Sequence, residues 1–228
     1  MARLRKSGRI LKDASRRADL VRAQAQFGLD APVFSLEPDR LFARAAPLEV
    51  EIGAGKGDFI LEYARQFPER NFLAIELGGS VYQWLAICCL RSGLPNLRAI
   101  RADARPVVNL MLPRAGVSAF HIYFPDPWPK SRHSKHRLFN PSLAGGLMRS
   151  LEPGGCVYLA TDVEWYFHDI VALLGEAGFT INGDRPPGVA RTNFGRKFEL
   201  AGRRIHAGCF QPRGDEAAAN RGSAYANG

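Results

Sequence analysis

Leu48-Glu-Val-Glu-Ile-Gly-Ala-Gly-Lys-Gly57 decides the fold. Leu48, Val50 and Ile52 read as a buried strand. The glycines at 53, 55 and 57 let backbone approach a ligand closely where the strand turns into a helix. Phe59, Ile60, Tyr63, Ala64 and Phe67 follow at helical spacing. A dinucleotide fingerprint reads G-x-G-x-x-G and sets a pyrophosphate on the helix N-terminus. This turn departs from it twice. The third glycine comes one residue early, and Glu51 stands two residues before the first glycine. A carboxylate there repels a pyrophosphate and welcomes the amino group of a cationic ligand.

Two more strands extend the pattern. Asn71-Phe-Leu-Ala-Ile-Glu-Leu77 carries Glu76 near its end, and Leu97-Arg-Ala-Ile-Arg-Ala-Asp103 ends in Asp103. An acid at the tip of the second strand is where doubly wound folds hold ribose hydroxyls. One such acid is ordinarily a helix cap. Three of them beside a glycine-rich turn favour a site at the carboxyl ends of the strands. The implied ligand has a cationic head, a ribose and an adenine-like edge. S-adenosylmethionine fits this description and NAD does not.

The alternation continues to residue 211, with a strand at 118–124, a helix at 141–151 and a strand from Cys156 to Ala160 leading into Thr161-Asp162. A helix at 164–177 and strands at 179–181 and 205–210 complete it. The expected fold is α/β, a single Rossmann-like domain over 48–211 with a mostly parallel, doubly wound sheet and helices on both faces. Residues 1–47 read as a basic arm, with a short helix at 15–26, and a proline-punctuated lead-in. Residues 212–228 read as a disordered tail.

Residues 123–137, Tyr-Phe-Pro-Asp-Pro-Trp-Pro-Lys-Ser-Arg-His-Ser-Lys-His-Arg, say most about function. Proline fixes φ on both sides of Asp126, so this carboxylate is rigidly placed. Four Lys/Arg and two His then follow within residues 130–137. That run suits a polyanion. Trp128 either stacks on a base or plugs the motif from below.

The formal charge of +9 is unevenly spread. Residues 45–129 balance eight basic against eight acidic side chains, whereas the first 22 residues carry eight Lys/Arg against Asp13 and Asp19. Residues 190–213 carry six Lys/Arg against Glu199 alone. Three basic segments flanking an acidic pocket favour a nucleic-acid partner. No run reaches the ~20 apolar residues of a membrane span. The N-terminus lacks the apolar core of a signal peptide. Cys88, Cys89, Cys156 and Cys209 form no C-x-x-C pair and read as reduced core thiols, so neither a disulfide nor a metal site is expected. A cytoplasmic enzyme is expected, as a monomer with a homodimer as the alternative.

Taken in order, Glu51-Ile-Gly-x-Gly-x-Gly57, Ile75-Glu76, Asp103-Ala104, Phe124-Pro-Asp-Pro-Trp-Pro-Lys130, Arg132-His-x-Lys-x-Arg-Leu138 and Thr161-Asp162 resemble the bacterial tRNA (guanine-N7-)-methyltransferases over roughly residues 48–202. The resemblance implies a class I S-adenosylmethionine-dependent methyltransferase acting on the guanosine at position 46 of the tRNA variable loop. It implies that Glu51, Gly53, Gly55, Gly57, Glu76 and Asp103 hold the cofactor, and that Asp126 borders it and is catalytic. Lys130 and Asp162 are implied to contact substrate, and Arg132, His133, Lys135 and Arg137 to contact RNA. The resemblance also implies a C-terminal Thr-x-[Tyr/Phe]-Glu motif that contacts the guanosine. Thr192-Asn-Phe-Gly195 keeps Thr192 and Phe194 but has Gly195 in place of the acid. Either Glu199 takes that role by a shifted register or the contact is lost.

Two other readings remain open at this level. One is a methyltransferase acting on an exocyclic amino group of RNA, because Asp-Pro-aromatic loops also serve that chemistry. The other is a non-catalytic RNA-binding protein on a methyltransferase scaffold, motivated by Gly195.

Overall fold

The computed structural model describes residues 18–19, 36–129, 132, 136–182, 186–189 and 192–214. The expectations for Lys130, His133 and Lys135, for most of the basic arm and for the tail beyond 214 lie outside the described residues.

The chain runs α1 (Pro38–Leu41), β1 (Leu48–Ile52), α2 (Asp58–Gln66), β2 (Asn71–Glu76), α3 (Gly79–Ser92) and β3 (Leu97–Arg101). It continues through α4 (Ala104–Pro106), which runs into a π-helical turn (Val107–Met111), then β4 (Val117–Tyr123), α5 (Pro141–Ser150), β5 (Leu151–Thr161) and α6 (Glu164–Glu176). The last elements are β6 (Phe179–Asn182), α7 (Asn193–Leu200) and β7 (His206–Pro212). The seven strands form one sheet in the order β3-β2-β1-β4-β5-β7-β6. The first five are parallel, and β7 pairs antiparallel with both β5 and β6.

Strand alternation sorts the side chains into two layers. Val50, Ile52, Leu73, Ile75, Phe120 and Ile122 join Leu143 and Leu147 of α5 and Tyr166, Ile170 and Leu174 of α6 on one face. Phe72, Ala74 and Tyr123 join Phe59, Ile60 and Tyr63 of α2 and Tyr82, Leu85 and Cys89 of α3 on the other. Each fully buried Phe or Leu contributes about 1.5–3 kcal/mol relative to exposure. Glu49, Glu51 and His121 occupy strand positions that alternate with the first set, so they face α2. The His121 ring lies 4.9 Å from that of Phe59 and 5.5 Å from that of Tyr63.

From β1 the chain steps outward through β2 to β3, then returns to place β4 on the other side of β1. The crevice between the carboxyl ends of β1 and β4 is therefore the topological switch point, where open α/β sheets bind ligands. Ile52 is in register with both Ile75 and Ile122. Gly53, Glu76 and Tyr123 thus come next along their strands at one level, on the rim of that crevice.

Three features differ from the sequence expectation. Strand β5 begins at Leu151, not Cys156, because Pro153-Gly154-Gly155 is carried inside it as an irregularity between the Leu151–Val117 and Cys156–Ala119 pairs, with Gly154 at φ 85°. The helical stretch 104–111 and helix α7 have no counterpart in the sequence reading. Of the four cysteines, Cys89, Cys156 and Cys209 are buried and Cys88 is half-buried, all as free thiols.

Candidate active site

The glycine-rich turn is built on left-handed backbone. Gly53, Gly55 and Gly57 have φ of 77°, 60° and 84°, a region that costs other residues free energy. Their surroundings differ. A Cβ at Gly57 would lie 2.6 Å from Cδ1 of Leu85, so this glycine lets α2 start against α3. A Cβ at Gly53 would meet nothing within 4 Å, so the backbone there faces open space on the crevice side.

Glu76 closes the turn. Its Oε2 accepts the N–H of Gly55 at 2.8 Å and its Oε1 accepts the N–H of Gly78 at 2.7 Å. One carboxylate thereby fixes the loops that follow β1 and β2. Each oxygen keeps a lone pair for a further donor.

Glu51 is buried, and its Oε2 finds no hydrogen-bond partner among the described residues. Burial, and after it the charges of Glu76 and Asp58, push its carboxyl up to about 8. A buried acid without a partner is costly unless something completes it. An ammonium group beside it would do so. The orphaned oxygen, the open space over Gly53 and the acid on the next strand together fit S-adenosylmethionine.

Asp103 behaves as a helix cap. Its side chain accepts the N–H of Arg105 at 3.0 Å and pairs with the Arg105 guanidinium at 2.6 Å. The hydrogen bonds from Arg105 hold its carboxyl below the usual range. The cap does not exclude a ligand, because the side chain remains a third exposed.

Asp126 is exposed, in a turn flanked by unusual backbone. Phe124 and Trp128 adopt φ of 52° and 42°, left-handed values that cost non-glycine residues of order 1–3 kcal/mol. The Phe124 amide donates to Ala160 O at 2.7 Å, which anchors the turn to β5. Arg137 braces it from the other side. Its Nε donates to the Trp128 carbonyl at 3.4 Å, its Nη1 lies 3.5 Å from Asp169, and its guanidinium sits 4.9 Å from the Trp165 ring centre. Arg137, expected to meet RNA, is thus engaged in holding the motif. Arg132 is exposed.

The substrate residues implied by the resemblance gather around this turn through contacts that sequence reasoning missed. The Phe124 ring lies 6.2 Å from Phe194 and 5.4 Å from Phe198 of α7. Arg203 stacks 5.1 Å from the Phe198 ring and pairs with Asp162 at 2.8 Å. Phe194 and Phe198 stand four apart, the spacing of one helix face, and that was the signal available. Glu199 lies on the same helix and is exposed.

Gly195 has a structural reason to be glycine. Thr192 caps α7, its Oγ1 accepting the Gly195 amide at 2.8 Å and donating to Val189 O at 3.1 Å. A Cβ on Gly195 would come within 1.7 Å of that same carbonyl. Position 195 faces inward against backbone, so this arrangement leaves no room for an acid there.

A glycine turn at the switch point, an acid waiting on β1 and a seven-stranded sheet with an antiparallel β7 define a class I methyltransferase of the S-adenosylmethionine-dependent kind. The solved 16S rRNA methyltransferase KamB shares this fold, with a TM-score of 0.54 at 19% identity over 76% of this chain and 92% of that one. A family model described as a putative methyltransferase matches residues 45–207. A tRNA (guanine-N(7)-)-methyltransferase of Halorhodospira halophila is 35% identical, covering 94% of this chain and 95% of that protein. One of Leifsonia xyli is 36% identical, covering 85% and 88%. The chain belongs to the tRNA (guanine-N7-)-methyltransferase family.

Proposed function

We propose that this protein transfers the methyl group of S-adenosylmethionine to N7 of a guanine in tRNA, at position 46 of the variable loop. The relatives that carry this activity in their names support the reaction. The observation that carries the reading is Glu51, a buried acid with an unpartnered oxygen at the switch point.

When bound, S-adenosylmethionine supplies a methyl group on a positively charged sulfur. Glu51 takes the amino group, Glu76 the ribose hydroxyls with the lone pairs its two amides leave, and Asp103 the adenine side. Guanine N7 has a free lone pair and no proton, so the site needs no general base. What it needs is positioning and negative charge where positive charge develops on the purine. Asp126 supplies that charge by accepting hydrogen bonds from the guanine N1 and amino edge. Its two prolines and the bracing of Arg137 hold it still. Lys130, Asp162, Thr192, Phe194 and Glu199 line the substrate side, while Arg132, His133 and Lys135 meet phosphates.

The test is to incubate the protein with labelled methyl donor and unmodified tRNA and to identify the nucleoside formed. 7-Methylguanosine at one position is expected. An N2-methylated guanosine would transfer the assignment to exocyclic amino chemistry, and no transfer with intact tRNA binding would make the protein a binding module.

A further inference from the structure

Glu49, His121 and Tyr123 have no part in the chemistry above, yet all three are polar and buried, His121 completely. Buried polar groups are costly unless bonded to one another. Here they form a chain. Arg70 Nη1 donates to Glu49 Oε1 at 2.5 Å, Glu49 Oε2 lies 2.7 Å from His121 Nε2, and His121 Nδ1 lies 2.9 Å from the Tyr123 hydroxyl. At its far end the Tyr123 ring lies against the backbone of Gly188.

One assignment gives every atom a partner. The Tyr123 hydroxyl donates to Nδ1, and the Nε2–H donates to Glu49. Both bonds point the same way, from the end of β4 at Tyr123 into the sheet. Packing agrees. A Cβ on Gly188 would lie 2.4 Å from the Phe59 ring and 2.7 Å from the Tyr123 ring, so this backbone is pressed against both.

Gly188 leads directly to the substrate side. Its carbonyl accepts the Thr192 amide at 3.2 Å, and Thr192 caps α7. The next residue after Tyr123 is Phe124, whose ring meets Phe194 and Phe198. Adjacent residues at the end of β4 therefore grip both ends of the segment that carries Thr192 and Phe194.

We propose that Tyr123 is a positioning residue, holding Gly188 and through it Thr192 and α7 against the Asp126 turn, and that Glu49 and His121 fix the direction of its hydroxyl. The consequence for catalysis rests on Thr192 and Phe194 being substrate contacts; the mechanical coupling does not.

Two readouts separate these. The first is amide hydrogen exchange in the full chain. Tyr123→Phe, which keeps the ring but frees it from His121, should speed exchange at Gly188 and at 192–198 about tenfold and leave β1 and β2 unchanged, because the packing of Gly188 then rests on an untethered ring. The second is kinetic. Tyr123→Phe should lower kcat/KM for unmodified tRNA about tenfold while S-adenosylmethionine affinity stays within twofold. His121→Gln, which retains a donor and an acceptor, should recover most of what His121→Leu loses. Unchanged exchange at Gly188 in Tyr123→Phe would overturn the coupling. Altered exchange with unchanged kcat/KM would overturn the positioning role. Equal loss of cofactor and tRNA binding would mark the chain as general core structure and overturn it as well.

Discussion

Glu76 and Gly55 are joined by a 2.8 Å hydrogen bond from the Gly55 amide to Glu76 Oε2, so the acid on β2 shapes the glycine turn of β1. Its other oxygen holds Gly78. Glu76 is a part of the pocket wall before it is a ligand to anything.

Replacing Glu76 should therefore reach further than a lost ligand contact. Glu76→Ala strands two amides, each costing about 1–3 kcal/mol where it stays out of water. Weaker S-adenosylmethionine binding, by about one to a few kcal/mol in calorimetry, should come with a lower melting midpoint in the ligand-free protein. Glu76→Gln, with one carbonyl oxygen, should fall between. A normal midpoint with weakened binding would confine Glu76 to ligand contact.

Glu51 predicts a pH dependence with a definite sign. Its carboxyl is raised in the folded protein from 4.5 to about 8, so the folded state binds more protons than the unfolded state across that window. Stability of the ligand-free protein should fall as pH rises from about 4.5 to about 8, by at most ~1.4 kcal/mol per unit from this group. An ammonium group beside Glu51 favours its ionised form. Near pH 7, S-adenosylmethionine binding should then release up to about one proton, measurable by calorimetry in buffers of different ionisation enthalpy. Glu51→Gln should remove both effects. Proton uptake on binding would oppose the assignment.

Gly195→Ala should be far more damaging than an ordinary helix glycine replacement. Alanine normally favours a helix by about 1 kcal/mol over glycine. Here its Cβ meets Val189 O, so the cap at Thr192 must open. Methylation should drop about tenfold or more with S-adenosylmethionine affinity retained. Wild-type kinetics in this variant would show that the segment tolerates a side chain.

The basic loop predicts a split between two arginines. Arg132→Ala should flatten the salt dependence of tRNA affinity by about 0.7–0.9 in log–log slope if it meets a phosphate. Arg137→Ala should change the slope less and the turnover more, because its guanidinium is held by Trp165, Asp169 and the Trp128 carbonyl. Equal slope changes would return Arg137 to the RNA surface.

The parallel half of the sheet was legible because its strands are apolar runs punctuated by glycine and acid. Val50, Ile52, Phe72 and Ile75 announce burial without any knowledge of neighbours. Helix α7 was not legible, since it has eight residues, a glycine at its third position and little apolar content beyond Phe194, Phe198 and Leu200. Its stability comes from the Thr192 cap and from Phe124, which is distant in sequence. The glycines were readable from their spacing alone as the turn that leads from β1 into a helix at the switch point. The His121–Tyr123 chain was not, although two polar residues alternating with Phe120 and Ile122 in a strand buried on both faces were its trace.

The most direct measurement is single-turnover methyl transfer to one unmodified tRNA transcript by wild-type protein, Asp126→Asn and Asp126→Ala. The predicted result is 7-methylguanosine at a single variable-loop position, with both variants slowed about a hundredfold because a fixed charge is lost, and with tRNA binding nearly intact. Wild-type rates in Asp126→Asn, or a methyl group on any guanine atom other than N7, would contradict it.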